Sequence, residues 1–553
     1  MRPRVVASLA LVGAILSGVQ AIQTVSRAGR YLYTADGNRF YIKGVAYQEQ
    51  GVCQAVAGSN NPFLEPITYV DPLSNGTTCQ RDLPYLQQLG VNTIRAYSVN
   101  SALNHDTCMQ LFSNAGIYTI IDLSLPVNGS IDRSSPAWTT ALLDQYVETI
   151  QIFSKYDNVL AFNVGNEVVT AVNETAAATF VKAAARDTKA YLNSIKSTAL
   201  VGYASIDGDP SLVLPLAEYL SCDPSGSNSG ATAIDLYGLN NYRWVGNSSY
   251  QVAYAPIEAL YSAYNVPAYF SEFGSPTNPV TSWDEVGSLL SSQLSPVWSG
   301  GIAFSYFPAT SAGGNFGIVS ISADGSTVTV NQNFNNLKTQ YAQALPPNSP
   351  SQSAAGSTSY PACPQQNSTL LASTTLPATP NLAACTCLEQ NLSCQFTPAT
   401  SNYSAIVGAL VDYGCSALGQ MGGNCNPISA NGQTGVYGAV SGCDPTVMLS
   451  WVMSQYYLAN NDNAQACSFG GNGTVNTHAP SSSSAANAAA SSCLASATGT
   501  SVPTLPSGSS AGSSGSSGST PGTSGAAALD TNVFASVLMV VMIGVVSGIW
   551  ALA

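Results

Sequence analysis

The stretch that decides the fold is Val159-Leu160-Ala161-Phe162-Asn163-Val164, which runs directly into Gly165-Asn166-Glu167. It has the length and the apolar, β-branched and aromatic content of a strand, and it gives way to a carboxylate. Just before it, Ala141–Phe153 places Leu142, Tyr146, Val147, Ile150 and Phe153 on one face of a helix. Seven further runs of strand type flank it: Phe40–Ala46, Val91–Tyr97, Tyr118–Leu123, Thr198–Tyr203, Ile234–Leu239, Pro267–Glu272 and Gly301–Tyr306. Helical patterns lie between several of them. Eight strands alternating with helices over about 320 residues predict an α/β fold, a (β/α)8 TIM barrel with insertions. A doubly wound sheet is the alternative; eight countable repeats and acids at strand ends favour the barrel.

In such a barrel catalytic groups sit at the C-terminal ends of the strands. Strand four leads into Asn166-Glu167 and strand seven into Ser271-Glu272-Phe273-Gly274; strand three carries Asp122, and strand two ends in Arg95-Ala96-Tyr97. Two carboxyls across a barrel mouth meet the needs of glycosidic bond cleavage. One is kept protonated for the leaving oxygen, and the other attacks the anomeric carbon or activates water. A lone strand-end Glu reads as a solvated loop carboxylate. Two of them, in a chain this poor in acids, reverse that reading. Asn166 either hydrogen-bonds a sugar 2-OH or shapes the turn after Gly165. Tyr97, Tyr242 and Tyr306 each read singly as core or rim packing, and as a set facing one mouth as sugar-stacking subsites.

Composition agrees with a neutral polar ligand. The chain has 553 residues with 16 Lys+Arg and 29 Asp+Glu, a formal net charge of −13. Charged residues make up 8%, against roughly 25% in a typical soluble protein. Nucleic acid is excluded as a partner, because its binding needs Lys and Arg to displace counterions. The balance is made up by Ser, Thr, Asn, Gln, Gly and 28 Tyr.

The flanks point outside the cell. Residues 1–21 combine Arg2 and Arg4, an apolar core from Val5 to Ile15 and the small-residue site Val19-Gln20-Ala21, which is a cleaved secretory signal. At the other end, small residues around Ser524-Gly525-Ala526 and a short spacer precede an uncharged apolar tail, Val533–Ala553. This order reads as a GPI-attachment signal, with Ser524 as the expected anchor residue and 526–553 as the propeptide. A membrane span is the rival, but no basic residue follows the tail. Between the flanks, 22–345 form the barrel, 346–362 a Pro/Ser linker, 363–478 a Cys-rich module and 479–525 a Ser/Gly/Ala stalk expected to be disordered and O-glycosylated.

Sequons at Asn75, Asn128, Asn173, Asn247, Asn367, Asn391, Asn402 and Asn472 mark positions for N-glycosylation. Thirteen Cys in a secreted chain predict disulfides, with one thiol left over. Cys385, Cys387, Cys394, Cys415, Cys425, Cys443, Cys467 and Cys493 make an even set within the module, with Cys493 tied back to it. Their connectivity is open. The two His, His105 and His478, lie far apart in the sequence and predict neither a metal site nor a triad. Gly508-Ser509-Ser510-Ala511-Gly512 matches a serine-hydrolase elbow but lies in the stalk, with no strand before it or helix after it.

Several motifs together carry a resemblance: Lys43-Gly44-Val45-Ala46-Tyr47-Gln48, Asn92-Thr93-Ile94-Arg95-Ala96-Tyr97-Ser98, Gly165-Asn166-Glu167, Tyr237-Gly238-Leu239-Asn240-Asn241-Tyr242 and Ser271-Glu272-Phe273-Gly274. They resemble glycoside hydrolase family 72, the fungal 1,3-beta-glucanosyltransferases of the Gas/Gel/Phr type. The module resembles carbohydrate-binding module family 43 in Cys385-Thr386-Cys387, Gly435-Val436-Tyr437-Gly438 and Ser441-Gly442-Cys443-Asp444. The resemblance implies Glu167 as acid/base and Glu272 as nucleophile, with Gln48, Tyr97, Asp122, Asn166 and Tyr242 lining the subsites. It implies retaining cleavage of an internal β-1,3-glucan linkage and transfer of the new reducing end to the non-reducing end of another glucan. No cofactor is needed, and the expected state is a GPI-anchored monomer on the outer face of the plasma membrane and in the wall. It also implies Cys53–Cys79 and Cys222–Cys363 bridges, leaving Cys108 as a buried free thiol.

The chain departs from the family pattern at Val245 and Ser275, where relatives carry a pair of Cys, and at Ser305, where they often carry Glu. The alternatives are a plain endo-β-1,3-glucanase using the same two Glu, or an inert wall glucan-binding protein.

Overall fold

The computed structural model describes residues 22–55, 64–126, 129–311, 313–400, 403–495 and 499–505. The expected signal at 1–21, the GPI signal with Ser524, and the sequon residues Asn128 and Asn402 lie outside the described residues.

Eight parallel strands close into a barrel in strict chain order: β1 (Ile42–Ala46), β2 (Thr93–Ala96), β3 (Tyr118–Asp122), β4 (Val159–Asn166), β5 (Leu200–Ile206), β6 (Leu236–Asn241), β7 (Ala268–Phe273) and β8 (Trp298–Ala303). All eight are runs expected from the sequence. They are mostly apolar because both faces are covered, and their polar residues, such as Arg95, Asp122 and Glu272, lie toward the C-terminal ends. Ile42, Ile120, Leu160, Leu236 and Ile302 share an inner cluster with Val25 and Leu32 of an N-terminal hairpin, Val25–Ala28 with Tyr31–Thr34. The alternate residues, such as Val45, Ile121 and Phe162, join the cluster that includes the surrounding helices. Those helices include α1 (Gly76–Leu89), α2 (Asp106–Asn114), α3 (Thr140–Phe153), α4 (Ala178–Ser194), α5 (Pro210–Ser221) and α6 (Gln332–Gln343).

Strand β8 begins three residues earlier than its apolar run predicts. Ser299-Gly300-Gly301 looks like turn sequence, yet Gly300 and Gly301 pair with β1. Gly300 sits at φ 91°, and a Cβ there would lie 2.1 Å from the Ile42 carbonyl oxygen. Only glycine allows the two strands to approach this closely. The strand therefore ends at Ala303, and Phe304 is the next residue, not Tyr306.

The disulfides correct the sequence reading in one place. Cys79 on α1 bonds Cys108 on α2, with Cα atoms 5.4 Å apart, so Cys79 is not the partner of Cys53 and Cys108 is not a free thiol. The two helices pack side by side, and their first turns bring these cysteines together. Cys222–Cys363 forms as the resemblance implies. The module pairs Cys385–Cys443, Cys387–Cys493, Cys394–Cys467 and Cys415–Cys425.

The expected linker is an ordered strap. Its carbonyls at Ser349 and Pro350 accept from Arg39 and the Tyr33 hydroxyl, and its Pro361 carbonyl accepts from the Asp223 N–H. The start of the expected stalk is also ordered. Helix Ser483–Leu494, N-capped by Ser482, is held to the module by Cys493. A disulfide removes enough chain entropy to order a segment whose composition alone would not bury a core. Among the described residues no helix is long and apolar enough to cross a membrane.

Candidate active site

Arg95 stands at the centre of the barrel mouth. It is the third residue of β2 and fully buried. Its guanidinium donates through Nε and Nη2 to Asp122 at 3.2 and 2.6 Å. It also reaches the Ser271 carbonyl at 3.1 Å, Glu272 Oε1 at 3.3 Å and Asn166 Oδ1 at 2.8 Å. A buried cation needs this many partners to repay its lost hydration.

Glu272, on β7, is 8% exposed. Burial raises its carboxyl above the ordinary glutamate range, opposed by Arg95 and by the hydroxyls of Tyr242 and Tyr97. Tyr97 donates to Oε1 at 2.8 Å and Tyr242 to Oε2 at 2.7 Å. Burial, reinforced by the Glu272 charge, pushes both phenols well above their usual range, so they stay donors. One oxygen thus has two donors and the other has one, which fixes the rotamer of the carboxylate.

Glu167 follows β4 directly. It occupies the left-handed region at φ 49°, which a non-glycine residue adopts only where its surroundings enforce it. Its N–H donates to the Ala204 carbonyl at 2.8 Å, Arg133 Nη2 donates to its carbonyl at 3.1 Å, and Asn240 Nδ2 donates to its Oε1 at 2.6 Å. Asn166 Oδ1 accepts from both Arg95 and Asn240, the latter at 3.2 Å. With that oxygen filled, Nδ2 is the group Asn166 can offer a sugar.

Three expected subsite residues do other work. Asp122 is 1% exposed, lies under the mouth, and is held by Arg95 and by Asn163 Nδ2 at 2.6 Å. Gln48 brackets backbone: Oε1 accepts from the Tyr97 and Ser98 N–H groups, and Nε2 donates to the Val70 and Glu49 carbonyls. All four of its hydrogen bonds go to backbone, and one of them holds Tyr97 in place. Tyr306 is fully buried, with its hydroxyl 3.2 Å from Asp82 and its ring against Tyr47 and Phe307. The early end of β8 sends it into the core.

Sequence reasoning overlooked Phe304 and Phe316, and it placed Arg95 at a strand end without giving it a role. The half-buried Phe304 ring lies 6.4 Å from both Tyr97 and Tyr242 and 5.3 Å from Phe316. Phe316 comes from the hairpin Ala309–Ser311 with Gly314–Phe316, which Gln50 clamps through both Thr310 backbone groups at 2.7 and 2.8 Å. These rings give the mouth an apolar wall on which a sugar face can stack. The signal for Arg95 was a cation inside an apolar strand, since such a group is buried only when paired. At the departures from the family pattern, Ser305 donates to the Phe307 carbonyl at 2.7 Å, and Ser275 to the Trp244 carbonyl at 3.3 Å.

A closed parallel barrel with two glutamates at its strand ends, joined through one arginine-centred network, is the architecture of a glycoside-processing enzyme. Residues 12–345 match the glycoside hydrolase 72 family, described as Glucanosyltransferase, and residues 392–474 match the X8 domain. The chain is 37% identical over 473 residues to the 1,3-beta-glucanosyltransferase gas1 of Schizosaccharomyces pombe, covering 85% of this chain and 81% of that protein. It is 37% identical to Protein EPD1 of Candida maltosa over 464 residues, 83% and 78% of the two chains. The solved structure of Saccharomyces cerevisiae Gas2p in complex with laminaritriose and laminaritetraose superposes with a TM-score of 0.73 at 31% identity, covering 83% of this chain and 99% of that one. The chain belongs to the glycoside hydrolase 72 glucanosyltransferase family.

Proposed function

We propose that this protein is a cell-wall 1,3-β-glucanosyltransferase in which Glu272 is the nucleophile and Glu167 the acid/base. The carrying observation is the network in which Arg95 holds Glu272 directly and is linked to Glu167 through Asn166 and Asn240, with donors on both oxygens of Glu272. Glu272 attacks the anomeric carbon of an internal β-1,3 linkage while Glu167 protonates the departing glycosidic oxygen, giving a covalent glycosyl-enzyme. A hydroxyl at the non-reducing end of a second glucan then gives its proton to Glu167 and attacks the anomeric carbon, displacing Glu272. Two inversions retain the β configuration and lengthen the acceptor. The Phe304, Phe316 and Tyr242 rings favour a sugar acceptor over water by offering a stacking surface.

The protein acts outside the cell, carried on a GPI anchor at the plasma membrane and in the wall, as a monomer. Among the expected glycosylation sites, Asn75, Asn173, Asn247 and Asn367 are exposed. Asn391 spends its Nδ2 on the Cys387 carbonyl, and Asn472 on the Phe469 carbonyl. The first four are therefore the preferred glycan carriers.

The soluble ectodomain, incubated with a reducing-end-labelled β-1,3-oligosaccharide, will give products longer than the substrate by mass spectrometry. Shorter products alone would make it a hydrolase, and no change would make it a binding protein. Glu167→Gln and Glu272→Gln will each abolish transfer with unchanged thermal melting. Full activity in either variant would overturn the site.

A further inference from the structure

The hydrogen bonds at the mouth have a direction that can be read without seeing a proton. Arginine carries donors only, so the Asn166 atom 2.8 Å from Arg95 Nη2 is its oxygen. The Asn240 atom facing that oxygen at 3.2 Å must then be its nitrogen. The same nitrogen donates to Glu167 Oε1 at 2.6 Å. The remaining Asn240 oxygen accepts from the Ser271 hydroxyl at 2.7 Å. Asn240 is 4% exposed and Ser271 fully buried, so water does not compete for these contacts. Ser271 immediately precedes Glu272 in β7, and its carbonyl accepts from Arg95 at 3.1 Å.

We propose that Ser271 and Asn240 form a positioning relay that keeps the acid proton of Glu167 on Oε2. An oxygen that already accepts a short amide N–H bond is the carbonyl oxygen of a neutral carboxyl, so the transferable proton resides on the other oxygen. Turning the Asn240 amide over would face its oxygen with Asn166 Oδ1 and would put an acceptor against Glu167 Oε1. That would draw the proton to Oε1, onto the Asn240 oxygen. Ser271 and Asn166 hold the amide in its working sense from two sides. Neither Ser271 nor Asn240 needs to touch substrate; both act through Glu167. The relay rests on the reading of Glu167 as the acid/base.

Two donors separate the relay from that reading. One is a β-1,3-linked oligosaccharide with its natural glucosyl leaving group, and the other is the same donor carrying 2,4-dinitrophenolate, which departs without protonation. Glu167→Gln, run as the control, should lose cleavage of the first and keep release of dinitrophenolate. If both or neither are lost, the acid/base reading fails. Ser271→Ala should lower kcat/KM for the natural donor by about tenfold or more and leave the dinitrophenyl donor within about twofold. Asn240→Asp keeps an acceptor for Ser271 but places a carboxylate against Oε1, so the alkaline limb of the kcat/KM profile should move upward by about one pH unit or more. With the control behaving as stated, equal losses on both donors in Ser271→Ala overturn the relay. So does an unmoved alkaline limb in Asn240→Asp, which is decisive where Ser271→Ala does not fold.

Discussion

Arg95 shows how one residue governs both stability and chemistry at the mouth. It neutralises Asp122 below the rim, helps hold Glu272, and orients Asn166. Its fork shape matters as much as its charge, because a point charge cannot serve partners in several directions. Arg95→Met removes the cation and strands two buried carboxylates, at a cost of about 3–5 kcal/mol in chemical denaturation. Arg95→Lys keeps the charge but loses the fork. It should fold with a smaller penalty while kcat falls by about a hundredfold or more, comparable to losing a transition-state-oriented donor. A lysine variant with normal kcat would show that Glu272 is positioned by Tyr97 and Tyr242 alone.

Among secondary elements, the short helix Glu285–Leu289 carries an unusual residue. Glu285 is 1% exposed, and among the described residues neither carboxyl oxygen has a hydrogen-bond partner. Burial, opposed by the dipole of its own backbone N–H and joined by a smaller push from Asp284, raises its pKa to about 7; Tyr254 and Tyr341 face it. The folded protein thus holds a proton that the unfolded chain releases near the ordinary value of 4.5. Below that value both states are protonated and Glu285 costs nothing. As pH climbs toward 7 the unfolded state is favoured, and stability falls. Glu285→Gln should flatten the loss of stability between pH 4.5 and 7, and should be more stable than wild type at pH 8, by urea midpoints. An unchanged slope would mean the charge is relieved elsewhere. The same elements separate what the sequence discloses from what it conceals. Strand ends in a barrel have one destination, so Tyr97, Asn166, Glu167, Tyr242 and Glu272 could be placed at the rim from strand runs alone. Whether a side chain there reaches the cleft depends on register and on partners from other strands. That is why Asp122 and Gln48 were assigned to ligand when Arg95 and backbone hold them. Tyr306 was misplaced because Gly300 moves β8, and the Cys79–Cys108 bridge depends on the packing of two helices that no spacing encodes.

Across the whole ordered body, barrel and module share a polar seam on the α3–α4 side. Asp187 on α4 accepts from Trp138 Nε1 at 2.8 Å, from Arg186 at 2.8 and 2.9 Å, and from Thr379 at 2.7 Å. Arg186 also donates to the Pro377 carbonyl at 2.7 Å. The Thr140 N–H donates to the Gly442 carbonyl at 2.9 Å, and the Thr179 hydroxyl to the Gly432 carbonyl at 2.9 Å. Gly432 permits this docking, since a Cβ there would lie 2.3 Å from the Ala176 carbonyl oxygen and 2.9 Å from the Phe180 ring. With both sides satisfied and desolvated, the two parts gain cooperativity that a flexible tether would not give. The wild-type ectodomain should therefore unfold in a single calorimetric transition. Gly432→Leu should pry the seam open without touching Arg95, Glu167 or Glu272. Two transitions are expected, with the module retained by its four disulfides. Asp187→Ala attacks the same seam electrostatically, leaving the buried Arg186 charge without its carboxylate and the Trp138 N–H without an acceptor, at a cost of about 3–5 kcal/mol. Cleavage of short oligosaccharides should survive in Gly432→Leu at temperatures below the first transition. If the variant still unfolds in a single transition, the disulfide Cys222–Cys363 and the strap, not the seam, couple the module to the barrel.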